Sequence, residues 1–191
     1  VPMRGHIPPA PFSERAMEMC VAGPMARDAR DLELALDVVA GPQGLDRKGK
    51  SWTLPAPRHE RLEDFRVGVL LEADGAPVDA DYRAALEAYV DELRGVGVSV
   101  TPVGRPPVDP QHALDVYFDI LFGLFGGGAP EHIYEAFRVL EPEATADART
   151  FGSRMGRAAR LTAREWFARI DAQARIVAQW EAFFADVDIL L

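Results

Sequence analysis

Two short apolar runs, RVGVLL at Arg66 to Leu71 and VSVTPV at Val98 to Val103, bracket a stretch of helical periodicity. This arrangement restricts the fold more than any other feature of the chain. Short runs rich in β-branched residues and bounded by turn formers read as buried strands. Between them, Asp79 stands ready to cap a helix whose apolar side carries Tyr82, Ala85, Leu86, Tyr89 and Leu93, and Gly95 and Gly97 end it. Strand, helix and strand in this order make a βαβ unit, so the strands are expected to be parallel and the crossover right-handed. Pro102 lacks an amide donor, which pushes the second strand toward a sheet edge or its own end.

The remainder reads as helix and loop. Leu32, Ala35, Leu36 and Val39 fall at i, i+3, i+4, i+7, which predicts a helix over about residues 28–40 with Asp28 as N-cap and Gly41-Pro42 as the stop. Beyond Asp109, Leu114, Phe118, Leu121, Phe122 and Phe125 line one face of a helix that Gly126, Gly127 and Gly128 are expected to terminate. A shorter helix with Ile133, Phe137 and Leu140 follows Pro130, and a weaker helical segment covers 144–160. Thr162 then caps a long helix with Trp166, Ile170, Ala174, Val177, Trp180 and Phe184 on its apolar side, and DILL, from Asp188 to Leu191, reads as the start of a core strand. The predicted class is α/β with helix in excess: a portion of a mixed sheet flanked by helices, with one parallel βαβ unit. One partial domain spans 1–191, with a loop and helix at 1–42, a polar linker at 43–60, the βαβ unit at 61–105 and a helical region at 106–191. The first 13 residues carry four prolines and one glycine and read as an extended loop. A start at Val1 inside that loop suggests a piece of a longer chain.

Composition narrows the chemistry. A hydrophobic fraction of 48% against 27% charged residues is that of a globular domain rather than a disordered chain. A net charge of -9 argues against a nucleic-acid partner, since phosphate contacts need a basic face. The longest apolar run, Ile120 to Ala129, contains four glycines and falls short of the roughly 18 residues of a membrane span; no signal-peptide core follows the opening VPMR. One cysteine, Cys20, permits no intrachain disulfide and reads as a buried inert thiol, which suits a reducing, cytoplasmic setting. His6, His59, His112 and His132 show no ligand spacing, so neither a metal nor a cofactor is expected.

The motifs are mostly bland on inspection. Gly44 to Ser51 (GLDRKGKS) satisfies the phosphate-loop pattern G-x-x-x-x-G-K-[ST] letter for letter. Such a loop works because a strand delivers it and a helix leaves it, aiming amides at the phosphates. Here a helix precedes it, and Pro55 and Pro57 forbid a normal helix after it. Ser13, Ser51, Ser99 and Ser153 are the only serines, and none lies in the glycine-rich turn that a nucleophile and its oxyanion donors use. Phe118, Phe122 and Phe125 are read first as core; their second reading is the wall of a substrate channel, with the adjacent glycines letting a ligand approach.

One stretch goes further. GPMARD at Gly23 to Asp28, followed by DLELALDVVAGP at Asp31 to Pro42 and GLD at Gly44 to Asp46, resembles the amidase signature family, in which a Gly-Pro-x-x-Arg turn leads into a helix ending in Ala-Gly with an aspartate soon after. The opening VPMRGHIPP is similar to the segment that follows the family's glycine- and serine-rich core in bacterial members, and the βαβ unit and the tail WEAFFADVDILL also fit. The resemblance implies hydrolysis of a carboxylic amide by a serine, a second serine in a cis peptide and a lysine, through an acyl-enzyme. Those motifs would lie before Val1, so the resemblance implies no catalytic residue in this chain and an inactive piece when isolated. It implies a small-molecule amide as the substrate of the intact enzyme, no nucleic-acid or membrane partner, and self-association or pairing with the missing N-terminal part. The competing expectation is a non-catalytic helical α/β module that binds a protein partner.

Overall fold

The computed structural model describes Met19 and residues 23–42, 44–72, 77–139 and 150–191. The chain divides into two compact units, Val1–Ala56 with Asp119–Leu161, and Pro57–Phe118 with Thr162–Leu191.

The second unit holds the sheet. Strand β1 (Arg66–Val69) lies at its centre, flanked by β2 (Ser99–Pro102) and β3 (Ile189–Leu190), and both pairings are parallel. Val67 stands opposite Val100 on one side and Ile189 on the other. The βαβ reading holds, with strands two residues shorter than the apolar runs, and β2 with its Pro102 is an edge strand. The crossover helix α2 (Ala80–Gly95) opens on Asp79, whose carboxylate accepts from the amides of Asp81 and Tyr82. Gly97 adopts φ +91, a left-handed conformation that carries the chain from α2 into β2. Val67, Val69, Val90 and Val98 form the core, with Phe65, Leu71, Leu93, Val100 and Leu191 against it. The apolar side of α2 therefore differs from the expected one. Leu86, Val90 and Leu93 face inward at i, i+4, i+7, whereas Tyr82 and Tyr89 are exposed. Amphipathic rings tolerate the flank of a buried stripe, so counting them as core rotated the face. Gly68 has a packing reason to be glycine: a Cβ there would come within 2.9 Å of Val103 Cγ2 and 3.1 Å of Val187 Cγ1.

Helix α6 (Ala163–Phe183) starts with a capping box in which Thr162 Oγ1 accepts from the Glu165 amide while the Glu165 carboxylate accepts from the Thr162 amide. Its buried residue is Ala172; Trp166, Ile170, Trp180 and Phe184 are half-buried, and Ala174 and Val177 are exposed. Periodicity placed the two ends of the apolar side correctly but rotated its middle, where Ala172, Gln173 and Ile176 are covered in place of Ala174 and Val177.

In the other unit, α1 (Ala29–Val39) follows the predicted span, with Asp28 Oδ1 accepting from the amides of Arg30 and Asp31 at 3.0 Å. None of its residues is buried, and Leu32, Leu36 and Val39 are all exposed. Helix α3 (Pro110–Gly128), whose residues 110–118 belong to the sheet-bearing unit, ends at the last of the three glycines expected to terminate it. Gly126 is buried, and a Cβ built there would lie 3.5 Å from the Cβ of Ala159, an ordinary packing distance. Two short helices complete the unit, α4 (Glu131–Val139) and α5 (Phe151–Ala158). Tyr134 donates its hydroxyl to the Ala159 carbonyl at 3.0 Å, tying α4 to the end of α5. The expected opening loop at 1–13, Cys20, Leu140 and residues 144–149 of the weak segment 144–160 lie outside the described residues; the rest of that segment holds α5. Among the described residues, no helix is long and apolar enough to cross a membrane.

Candidate functional site

Parallel strands direct their carboxyl ends toward one edge of a sheet, and ligands in α/β folds bind at that edge. Here a cavity of about 460 Å³ opens where the ends of β1 and β2 meet α2. Val69, Val90 and Val103 supply its apolar floor. Arg83 dominates the rim, donating from Nε to Glu87 at 3.0 Å and from a terminal nitrogen to Glu72. Those two carboxylates, Glu87 foremost, raise the guanidinium above its ordinary pKa. The rim can orient a charged ligand. Among the described residues that line it there is no serine, cysteine or histidine to act as a nucleophile.

The three phenylalanines singled out from the sequence all lie on α3. Phe122 is buried and meets Phe151 edge-on, with centroids 5.0 Å apart. Phe118 packs edge-on against its neighbour Tyr117 at 5.3 Å. Phe118 and Phe125 are half-buried. Phe151 was not expected to take part, and no local pattern would have revealed it: it precedes Gly152 at the start of a short, polar helix.

That helix shows what else the sequence concealed. In α5, Ser153, Arg154, Gly156 and Ala158 are the buried residues. Arg157 Nε and Nη2 both donate to Asp119 Oδ1, at 3.0 and 2.8 Å, and the Asp119 side chain is 2% exposed. Charged residues are seldom buried unless paired, so a helix rich in serine, arginine and glycine carries no sequence signal of an interior position.

None of the described serines is armed. Ser51 is exposed in an irregular stretch; Ser99 opens the edge strand β2; the Ser153 hydroxyl is buried and donates to the Thr150 carbonyl while accepting from the Thr150 hydroxyl. The phosphate-loop lookalike lacks the architecture that the motif needs. Residues Gly44–Lys48 form a 3-10 turn, no helix follows in 51–57, and Lys50 Nζ pairs with Asp46 at 3.2 Å. ATP or GTP at millimolar concentration is therefore expected to leave the melting temperature unchanged; stabilisation that disappears in Lys50→Ala would show that the loop binds phosphate after all.

Comparison with known proteins supplies the family. The Amidase family model matches residues 2–191. A glutamyl-tRNA(Gln) amidotransferase subunit from Thermus thermophilus is 42% identical over 100 residues, which is 50% of this chain and 20% of the relative. Its namesake from Azotobacter vinelandii is 34% identical over 101 residues, 51% of this chain and 20% of the relative. The matched stretch thus spans about a fifth of the length of these bacterial proteins. With the family model covering nearly every residue, and with the helix-rich α/β fold that the resemblance implied, the chain belongs to the amidase family.

Proposed function

We propose that this chain is part of an enzyme that hydrolyses carboxylic amides to the acid and ammonia or an amine, acting in the cytoplasm on a small-molecule amide. The observation that carries the reading is the family match across residues 2–191. In this reading the chain supplies scaffold and substrate-channel wall. Phe118, Phe122 and Phe125 line the channel, and the serine, second serine and lysine of the family's chemistry come from sequence outside these residues. Phe122 is the most buried of the three, so its truncation costs about 3–5 kcal/mol wherever the channel runs. Phe125, half-buried, is the discriminating position.

The test is ammonia release by an amidase polypeptide that contains this sequence, assayed on aromatic and aliphatic amides with and without Phe125→Ala. The expected result is a change of about ten-fold or more in the ratio of kcat/KM values, with little change in melting temperature. A large loss of stability with an unchanged ratio would return this face of α3 to the core.

A second reading, a helical α/β module that docks on a protein partner, is favoured by one observation, the wholly unburied α1 with its exposed Leu32, Leu36 and Val39. Amide turnover by the intact polypeptide separates the two.

A further inference from the structure

Strand β3 contributes only two residues to the sheet, yet the turn leading into it carries a polar network of several side chains. Asp188 lies at its centre, with a side chain 1% exposed. Arg66, at the start of β1, donates its backbone amide and Nε to Asp188 Oδ2 at 2.9 and 3.0 Å, and Nη2 to Oδ1 at 2.9 Å. Arg58 donates Nη1 to Oδ1 at 3.0 Å, and His59 Nε2 lies 3.3 Å from Oδ2. The same two arginines reach the end of α6: Arg58 donates to the Phe184 carbonyl at 2.8 Å and Arg66 to the Ala185 carbonyl at 3.2 Å. The last turn of α6 has no basic residue of its own, so its orphan carbonyls and the negative end of its dipole are served by cations from the other end of the unit's sequence. The Arg66 guanidinium and amide, with Arg58, hold the Asp188 carboxyl well below the usual carboxylate range.

We propose that Asp188 pins a strap: residues 57–60 close over the turn between α6 and β3, and the strap and β3 open and close together as one piece. The proposal does not depend on the amidase reading. Isolated surface ion pairs contribute little, but here three side chains and an amide converge on one enclosed carboxylate. Once Arg66 has ordered that carboxylate, Arg58 and His59 meet a fixed partner. Arg58 donates to Asp188 and Phe184, whereas the Leu70 and Leu191 amides carry bonds between β1 and the β3 end (Leu70 to the Leu191 carbonyl, 2.7 Å; Leu191 to the Gly68 carbonyl, 2.9 Å). The Val103 amide, bonded to the Val69 carbonyl at 2.7 Å, reports the opposite side of β1.

Hydrogen exchange on a polypeptide that contains these 191 residues tests the coupling. In Asp188→Asn and in Arg58→Gln, the Leu70 and Leu191 amides are expected to exchange about ten-fold faster or more, with Val103 almost unchanged. Tryptic cleavage after Arg61, slow in the unaltered chain relative to cleavage after Lys50, is expected to rise in parallel. Should Asp188→Asn fail to fold, Arg58→Gln decides alone, because it leaves the Arg66 contacts in place. A uniform rise at Leu70, Leu191 and Val103, or no rise at Leu70 and Leu191, would overturn the strap and leave an ordinary surface network.

Discussion

A pure preparation of these 191 residues is expected to hydrolyse neither amides nor esters above the uncatalysed rate. Serine amidases need a nucleophile, a base within hydrogen-bond reach and oxyanion donors, and loss of nucleophile or base removes on the order of 10⁶ in kcat. Each described serine fails on geometry: Ser153 is bound into the Thr150 cap, Ser99 sits on the edge strand, and Ser51 lies in an exposed stretch. The lysine beside Ser51 is paired with Asp46 at 3.2 Å and is 65% exposed. Ammonia release by coupled assay, at enzyme concentrations high enough to reveal very slow turnover, checks this. Turnover abolished by replacing one of Ser13, Ser51, Ser99 or Ser153 would show catalytic machinery within the chain. The same preparation is expected to self-associate through the apolar side of α1 or the free edges of β2 and β3. A monodisperse monomer in light scattering at high concentration would count against that.

The largest stability effect is expected at Arg157. Replacing it with Met strips the buried Asp119 carboxylate of two charge-assisted bonds while leaving its charge in place, a loss of about 3–5 kcal/mol. Urea denaturation of Arg157→Met beside the unaltered chain measures the loss. A change below about 0.5 kcal/mol in Arg157→Met would mean that the guanidinium is no more than a surface ornament to Asp119. Asp119 is 1% exposed, beside Ile120 at 0%, and that position is why a large value is expected here and not at the exposed pair of Arg138 and Glu135.

Several elements were legible because their signals are local. Asp28, Asp79 and Thr162 cap the helices they were expected to cap, since a short polar side chain reaches the free amides of its own first turn whatever lies around it. The parallel pairing of β1 with β2 followed from having a helix between two apolar runs, and the edge position of β2 from Pro102. The family, too, was legible in the GPMARD turn and the helix after it, because a motif is a linear object.

The candidate site was legible only in part. Phe118, Phe122 and Phe125 stood out by spacing, but Phe151, the ring that Phe122 meets, lies on another helix and nothing in its neighbourhood marks it. Asp119 and Arg157 are 38 residues apart, and Arg58 and Asp188 are 130 apart. Charge seen along the sequence reads as solvated surface, and only the fold shows which carboxylates have been enclosed and given partners. By itself, then, the sequence determined where helices begin, which strands run parallel and to which family the chain belongs, because those depend on neighbours within a few residues or on linear motifs. Which charges are buried and what holds β3 against β1 were decided by tertiary structure, because each depends on atoms that only folding brings within contact distance.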